Sequence, residues 1–218
     1  MTTPLDLEYP FTGRWLVQNS PANRVPSHGT SLFGLAHAID FVPVDDAGRS
    51  APYTLTSFLR PEPAALFPGF GRPLTAPVDG LVVGVHGDEP DHHAHRGLPS
   101  VGYAVTQRRR RLAAGGWRLS GNHVLIETRN ADGRVAVVVL CHLQQSSPVV
   151  RPGQSIRRGE AVGRCGNSGN STEPHVHVHA VDRRDTSGDI SRNISRARAV
   201  PISFRGRLPR NGEIVDAG

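Results

Sequence analysis

Short apolar runs bounded by turn residues recur along the chain. They are RWLVQ (14–18), AHAIDFV (36–42), GLVVGV (80–85), HVLIET (123–128), VAVVVLCHL (135–143), EAVGRC (160–165) and HVHVHAV (175–181). Runs this short, rich in Val and Ile and flanked by Gly, Pro, Asn and Asp, predict β-strands. ADG at 131–133 predicts a hairpin turn joining two of them. RPGQSIRRGEAVG (151–163) has a Pro-Gly turn and then an Arg-Gly turn, which predicts a tight meander. No heptad pattern is sustained and no internal repeat is present. The expected fold class is all-β.

Two segments break this rhythm. Residues 50–73 (SAPYTLTSFLRPEPAALFPGFGRP) form a loop rich in proline and aromatics. Residues 87–121 separate two strands by far more than a hairpin needs and contain a short helix candidate at 100–114. Long insertions in compact domains are usually lids or linkers. From 183 onward the chain is polar and irregular, with one late strand candidate at AVPISF (199–204). All 218 residues are expected to form one domain, with a core at about 25–182, insertions at 50–73 and 87–121, and a tail at 183–218.

Composition agrees with a turn-rich β protein: 24 Gly, 18 Pro and 6% aromatics. No apolar stretch is long enough for a membrane span. The start, MTTPLDLEYPFTGRWLV, lacks a basic segment followed by an apolar run, so no secretory leader is expected: either the protein is cytoplasmic or this chain lacks its export segment. The net charge is +6, and all 25 basic residues are arginine. Arginine forks suit carboxylate or phosphate partners, but the codon bias of a GC-rich genome yields the same composition. RRRR (108–111) reads as a solvated basic face. Nucleic-acid binding would call for aromatic platforms or a recognition helix beside it. Trp117 and Tyr103 are too isolated to serve, so no nucleic-acid partner is expected. DHHAH (91–95) reads as a solvated loop. Cys141 and Cys165 read as buried free thiols, with a mutual disulfide as the alternative.

The candidate chemistry lies in GNSGNSTEPHVHVHAVD (166–182). On a strand, spacing by two puts His175, His177 and His179 on one face. Neutral imidazole is a common zinc ligand, and a catalytic zinc takes three protein ligands and keeps a position for water. The competing reading is the polar outer face of an edge strand, and HVHVH alone leaves the two balanced. The small residues of GNSGNST let backbone approach a ligand closely.

With its surroundings this region resembles lysostaphin-type, or LytM-like, zinc metallopeptidases. The resemblance is carried in order by CHL (141–143), VRPGQ (150–154), GRCGNSG (163–169) and PHVH (174–177), and upstream by GRPLTAPVDGLVVGV (71–85) and GNHVLIE (121–127). It implies antiparallel sheets forming a groove, the duplicated hybrid motif of that family. It implies zinc held by His177, by Asp40 of HAIDFV and by a further histidine, with His142 and His175 as catalytic residues. For that further histidine, His28 in VPSHGTSLFGLAHAIDF is chosen over His37, whose odd spacing from Asp40 points it to the other strand face. Glu173, His179, His123 and Leu140 stand where the family usually has Gly, Glu, Tyr and Tyr. His179 shares the face of His177 and could support that ligand from behind, but the expectation preferred is a partly exposed strand residue without a metal role. The implied activity is endopeptidase cleavage in peptidoglycan or muropeptides. The alternative is a non-catalytic relative acting as a wall- or partner-binding regulatory module. No helical His-Glu-x-x-His motif is present, which excludes helix-built metallopeptidases but not a strand-built site.

Overall fold

The computed structural model describes residues 3–103, 106, 119–182 and 197–218. Its strands are β1 (Leu5–Leu7), β2 (Gly13–Gln18), β3 (Ile39–Pro43), β4 (Pro73–Thr75), β5 (Gly80–His86), β6 (Asn122–Arg129) and β7 (Val135–Leu143). They continue with β8 (Ser155–Ile156), β9 (Ala161–Arg164), β10 (Val176–Asp182), β11 (Ala199–Val200), β12 (Ile202–Phe204) and β13 (Ile214–Ala217). The main sheet runs β13-β2-β3-β10-β7-β6-β5-β8, with β11 beside β10. Every pairing within it is antiparallel. Two small sheets, antiparallel β4–β9 and parallel β1–β12, lie apart from it.

Alternation sorts the side chains. Ile39, Phe41, Val124, Ile126, Val138, Leu140, Val176, Val178 and Ala180 face one core. That core is closed by Tyr9, Phe11, Trp15 and Phe204, so the two ends of the chain supply its aromatic cluster. Rings of Phe11 and Trp15 stack at 4.2 Å, and those of Tyr9 and Phe204 at 5.2 Å. The opposite face carries a smaller cluster of Leu125, Val137, Val139, Cys141 and Val181. Both cysteines are buried and free.

The packed body reaches beyond the 25–182 core expected from the sequence. β1 and β2 precede it, and β12 and β13 lie in the segment read as an irregular tail. β2 and β12 coincide with the RWLVQ and AVPISF candidates, whereas β1 and β13 are short, with only two or three apolar positions each, which is too little for a period of two to stand out. AHAIDFV also begins later than its pattern suggests, because Leu32–His37 is a 3-10 turn. His37 therefore sits in that turn and not on the strand. The RRRR run, Trp117 and most of the 100–114 helix candidate lie outside the described residues. Among the described residues no helix is long and apolar enough to cross a membrane.

The two long insertions are joined by Arg96. Its guanidinium donates to both oxygens of Glu62 at 2.9 Å, to Ala51 O at 3.1 Å and to Pro52 O at 3.0 Å. It also lies over the rings of Tyr53 and Phe67, at 4.4 and 4.8 Å. Arg96 is 5% exposed and the Glu62 side chain 14%, so removing it leaves a largely buried carboxylate and the buried Ala51 carbonyl without their partner. Arg96→Ala is expected to lower the unfolding free energy by about 3–5 kcal/mol. Arg96→Lys should recover only part of that, since a point charge cannot replace the fork. Urea denaturation of the three proteins checks this, and an alanine variant of unchanged stability would contradict it.

Candidate metal centre

On β10, alternation sends Val176 and Val178 into the core and His177 and His179 to the opposite face. On β3, Asp40 is flanked by core-facing Ile39 and Phe41 and so faces the same way. The two strands pair with His177 directly opposite Asp40. His177 Nδ1 lies 2.8 Å from Asp40 Oδ1. His28 arrives from the loop before the 3-10 turn and places Nε2 3.0 Å from Oδ2 of the same carboxylate. One donor atom from each of the three lies within 4.8 Å of the others. Asn19 supports the carboxylate, donating Nδ2–H to Oδ2 at 2.7 Å. Nothing in the sequence marks this Asn19 contact, since β2 reaches Asp40 only through tertiary pairing.

The hydrogen-bond network indicates what these donors suit. Ser27 Oγ donates to Ala38 O at 2.7 Å, so it accepts from His28 Nδ1–H at 3.0 Å. The remaining nitrogen, Nε2, then turns a lone pair toward a carboxylate oxygen. Two acceptors at 3.0 Å require positive charge between them, either a proton or a cation. Two imidazoles and one carboxylate are a donor set that zinc accepts. His37 takes no part in this cluster.

His142 and His175 lie alongside. Alternation would send His142 into the core with Leu140. Instead β7 bulges: Asn122 pairs with Leu143 and His123 with Cys141, leaving His142 unopposed with φ at 64°. Cys141 and His142 consequently both face the site. The ring of His142 stands 4.7 Å from that of His175 and 5.9 Å from that of His177. His175 Nε2 is 3.7 Å from Asp40 Oδ1.

The glycine-rich turn holds these two rings. His142 Nδ1 donates to Ser168 O at 2.8 Å, and His175 Nδ1 approaches Glu173 O at 2.8 Å and Ser171 Oγ at 2.9 Å. Gly121 packs against this turn with φ at 58°, where a Cβ would come within 2.5 Å of the Ser168 backbone. DHHAH is not a solvated loop. Asp91 accepts from Asn167 N at 2.6 Å and Gln145 N at 2.8 Å, and His92 Nε2 lies 3.0 Å from Gly169 O. The first insertion reaches the same place, with Ser50 Oγ donating to Glu173 at 2.6 Å.

His179 is not partly exposed either. It is 3% exposed, because β10 is a central strand, and its Nδ1 lies 3.1 Å from His177 Nε2. Burial would raise the carboxyl of Asp40, but His28, His175 and hydrogen bonds from His177 and His28 outweigh this and hold it well below its ordinary range. Burial, reinforced by neighbouring imidazoles, holds His142 and His179 well below the usual histidine range. Burial lowers His177 too, against the pull of Asp40.

The profile of Peptidase family M23 matches residues 103–188. The peptidoglycan DD-endopeptidase ShyA of Vibrio cholerae is 33% identical over 90 residues, covering 38% of this chain and 21% of that protein. The match thus spans about a fifth of that relative's length. The catalytic domain of lysostaphin from Staphylococcus simulans overlays with a TM-score of 0.39 at 16% identity, covering 86% of this chain and 88% of the other. A zinc-containing peptidase from Vibrio cholerae overlays with a TM-score of 0.34 at 19% identity, covering 70% and 47%. Structural likenesses this distant carry no argument of their own.

Buried neutral imidazoles make stability depend on pH. Burial lowers His123 from 6.5 to about 4. Between those values the unfolded chain binds the proton and the folded one refuses it. Stability is therefore full above about pH 6.5 and declines as pH falls toward 4, by about 3 kcal/mol from this residue. His142 and His179 act in the same direction. Melting temperatures at pH 7.5 and 4.5 should show the decline, and His123→Phe should reduce it. A variant with the same acid-induced loss as wild type would contradict this.

Proposed function

We propose that the chain is a zinc endopeptidase of the M23 type, acting on peptide bonds of peptidoglycan or muropeptides; the match of residues 103–188 to the profile of Peptidase family M23 supports this reading. The observation that carries the reading is the buried Asp40 carboxylate, met on one oxygen by His177 Nδ1 and on the other by His28 Nε2. These three residues would hold the ion. When bound, the ion supplies a Lewis acid for the scissile carbonyl and lowers the pKa of the attacking water.

The remaining work falls to His142 and His175. Each commits Nδ1 to the turn between Ser168 and Glu173, which leaves Nε2 as the acceptor. Because burial keeps His142 well below the usual range, it is a neutral base at physiological pH. The pair takes one proton from the attacking water and returns it to the departing amine nitrogen. The imidazolium formed in between lies where it can stabilise the developing oxyanion. Peptidoglycan as the substrate follows from the name of the Vibrio cholerae relative, a peptidoglycan DD-endopeptidase. A purely regulatory module would not need two imidazoles fixed at Nδ1 beside the donor set, which favours catalysis.

Purified protein is expected to hold about one zinc per chain and to release new amino termini from muropeptides. His177→Ala should lose both the metal and turnover. His142→Ala should keep the metal and lose turnover by about 10²–10⁴-fold. Metal analysis beside a chromatographic muropeptide assay checks all three. Zinc-loaded wild type that leaves muropeptides and peptidoglycan intact would overturn the proposal.

A further inference from the structure

We infer that His179 is a positioning residue for the metal centre: its Nδ1 accepts the Nε2–H of His177 and so keeps the other nitrogen of His177 turned toward Asp40. The inference rests on the reading of His28, Asp40 and His177 as metal donors, and it goes beyond that reading by assigning the tautomer and orientation of one of them.

A neutral imidazole has one lone pair and one N–H. If His177 offers its Nδ1 lone pair to a cation beside Asp40, its proton sits on Nε2. His177 is 6% exposed, so that N–H needs an acceptor from the protein. His179 Nδ1, at 3.1 Å, is the acceptor in place. The ring of His177 would then be fixed at both nitrogens, by the cation shared with Asp40, whose Oδ1 lies 2.8 Å from Nδ1, and by His179 on the other side. Two residues along a strand is the one local spacing that returns to the same face, so β10 supplies both the donor and its support. His179 Nε2 is buried with no hydrogen-bond partner among the described residues. Its polar contact is therefore the one with His177. A metal ligand of this kind usually donates its second N–H to a carboxylate, a carbonyl or water, and loss of that acceptor weakens metal binding. Here an uncharged imidazole fills the acceptor's place.

One rival arrangement is present. Cys141, His177 and His179 also bring donor atoms within 4.8 Å of one another. In that arrangement His177 would give Nε2 to a metal, and His179 would be a ligand instead of a support. It leaves the Asp40 carboxylate and His28 unused and relies on a thiol buried among apolar side chains. The first arrangement uses the carboxylate, which supplies the charge a divalent ion requires.

The test measures zinc affinity by competition with a chelating dye, together with the electronic spectrum of the cobalt(II)-substituted full chain. His179→Ala should bind zinc about 10–100-fold more weakly than wild type. His179→Gln, whose amide oxygen can accept the same hydrogen, should recover most of the loss. His179→Leu, apolar and of similar bulk, should behave like alanine and serves if the smaller variant does not fold. Cys141→Ser should bind normally, and cobalt-loaded wild type should show no thiolate charge-transfer band. Wild-type affinity in both His179→Ala and His179→Leu would overturn the inference and leave the zinc reading standing. So would a glutamine variant as weak as leucine. A thiolate band that disappears in Cys141→Ser would also overturn it, by making His179 a ligand. Wild type that binds no zinc would overturn the functional reading and this inference with it.

Discussion

The site depends on one cross-strand pair, the carboxylate of Asp40 set directly opposite His177 in the β3–β10 ladder. Side chains opposed in an antiparallel pair stand close enough to interact without help from loops. An isolated carboxylate buried this deeply would cost several kcal/mol. His177 from the neighbouring strand, His28 from a loop and Asn19, just after β2, offset it with nitrogens 3.0 Å or less from its oxygens. The same contacts bring nitrogen donors from two parts of the chain onto one carboxylate. The requirement that stabilises the buried charge and the requirement for holding a cation are thus met by the same atoms.

The glycine-rich turn and the insertions around it position the other two imidazoles. Ser168 and Glu173 carbonyls fix the rings of His142 and His175. The turn is held in its own place by Asp91, His92 and the close approach of Gly121. Arg96 binds the first insertion to the second, and Ser50 ties the first to Glu173. Segments that read as interruptions of the strand pattern therefore pack against the turn that holds the rings of His142 and His175.

Much of this was legible in the chain. A period of two placed His175, His177 and His179 on one strand face, the family resemblance of HAIDFV supplied Asp40, and the apolar runs located the central strands. His142 was not legible from alternation, because a bulge with φ at 64° breaks the period at that one residue. It was reached only through the family resemblance of CHL. The preference for His28 over His37 came from the resemblance of SHG (27–29) to a family subgroup and from parity on an extended strand, whereas the chain places His37 in a 3-10 turn. His179 looked like the outer face of an edge strand, and the sequence does not say that β3 and β7 flank β10 on both sides. DHHAH looked solvated because its partners, Asn167 and Gly169, lie more than seventy residues away. AVPISF covers β11 and β12, whereas β1 and β13 were missed because strands this short carry almost no period.

The most direct measurement is X-ray absorption at the zinc edge of the metal-loaded protein, for wild type and for Asp40→Ala. The account predicts nitrogen and oxygen neighbours alone, with two imidazoles in the wild-type spectrum, and little bound zinc in the variant. A sulfur neighbour in wild type, or an unchanged spectrum after Asp40 is removed, would place the ion elsewhere and contradict it.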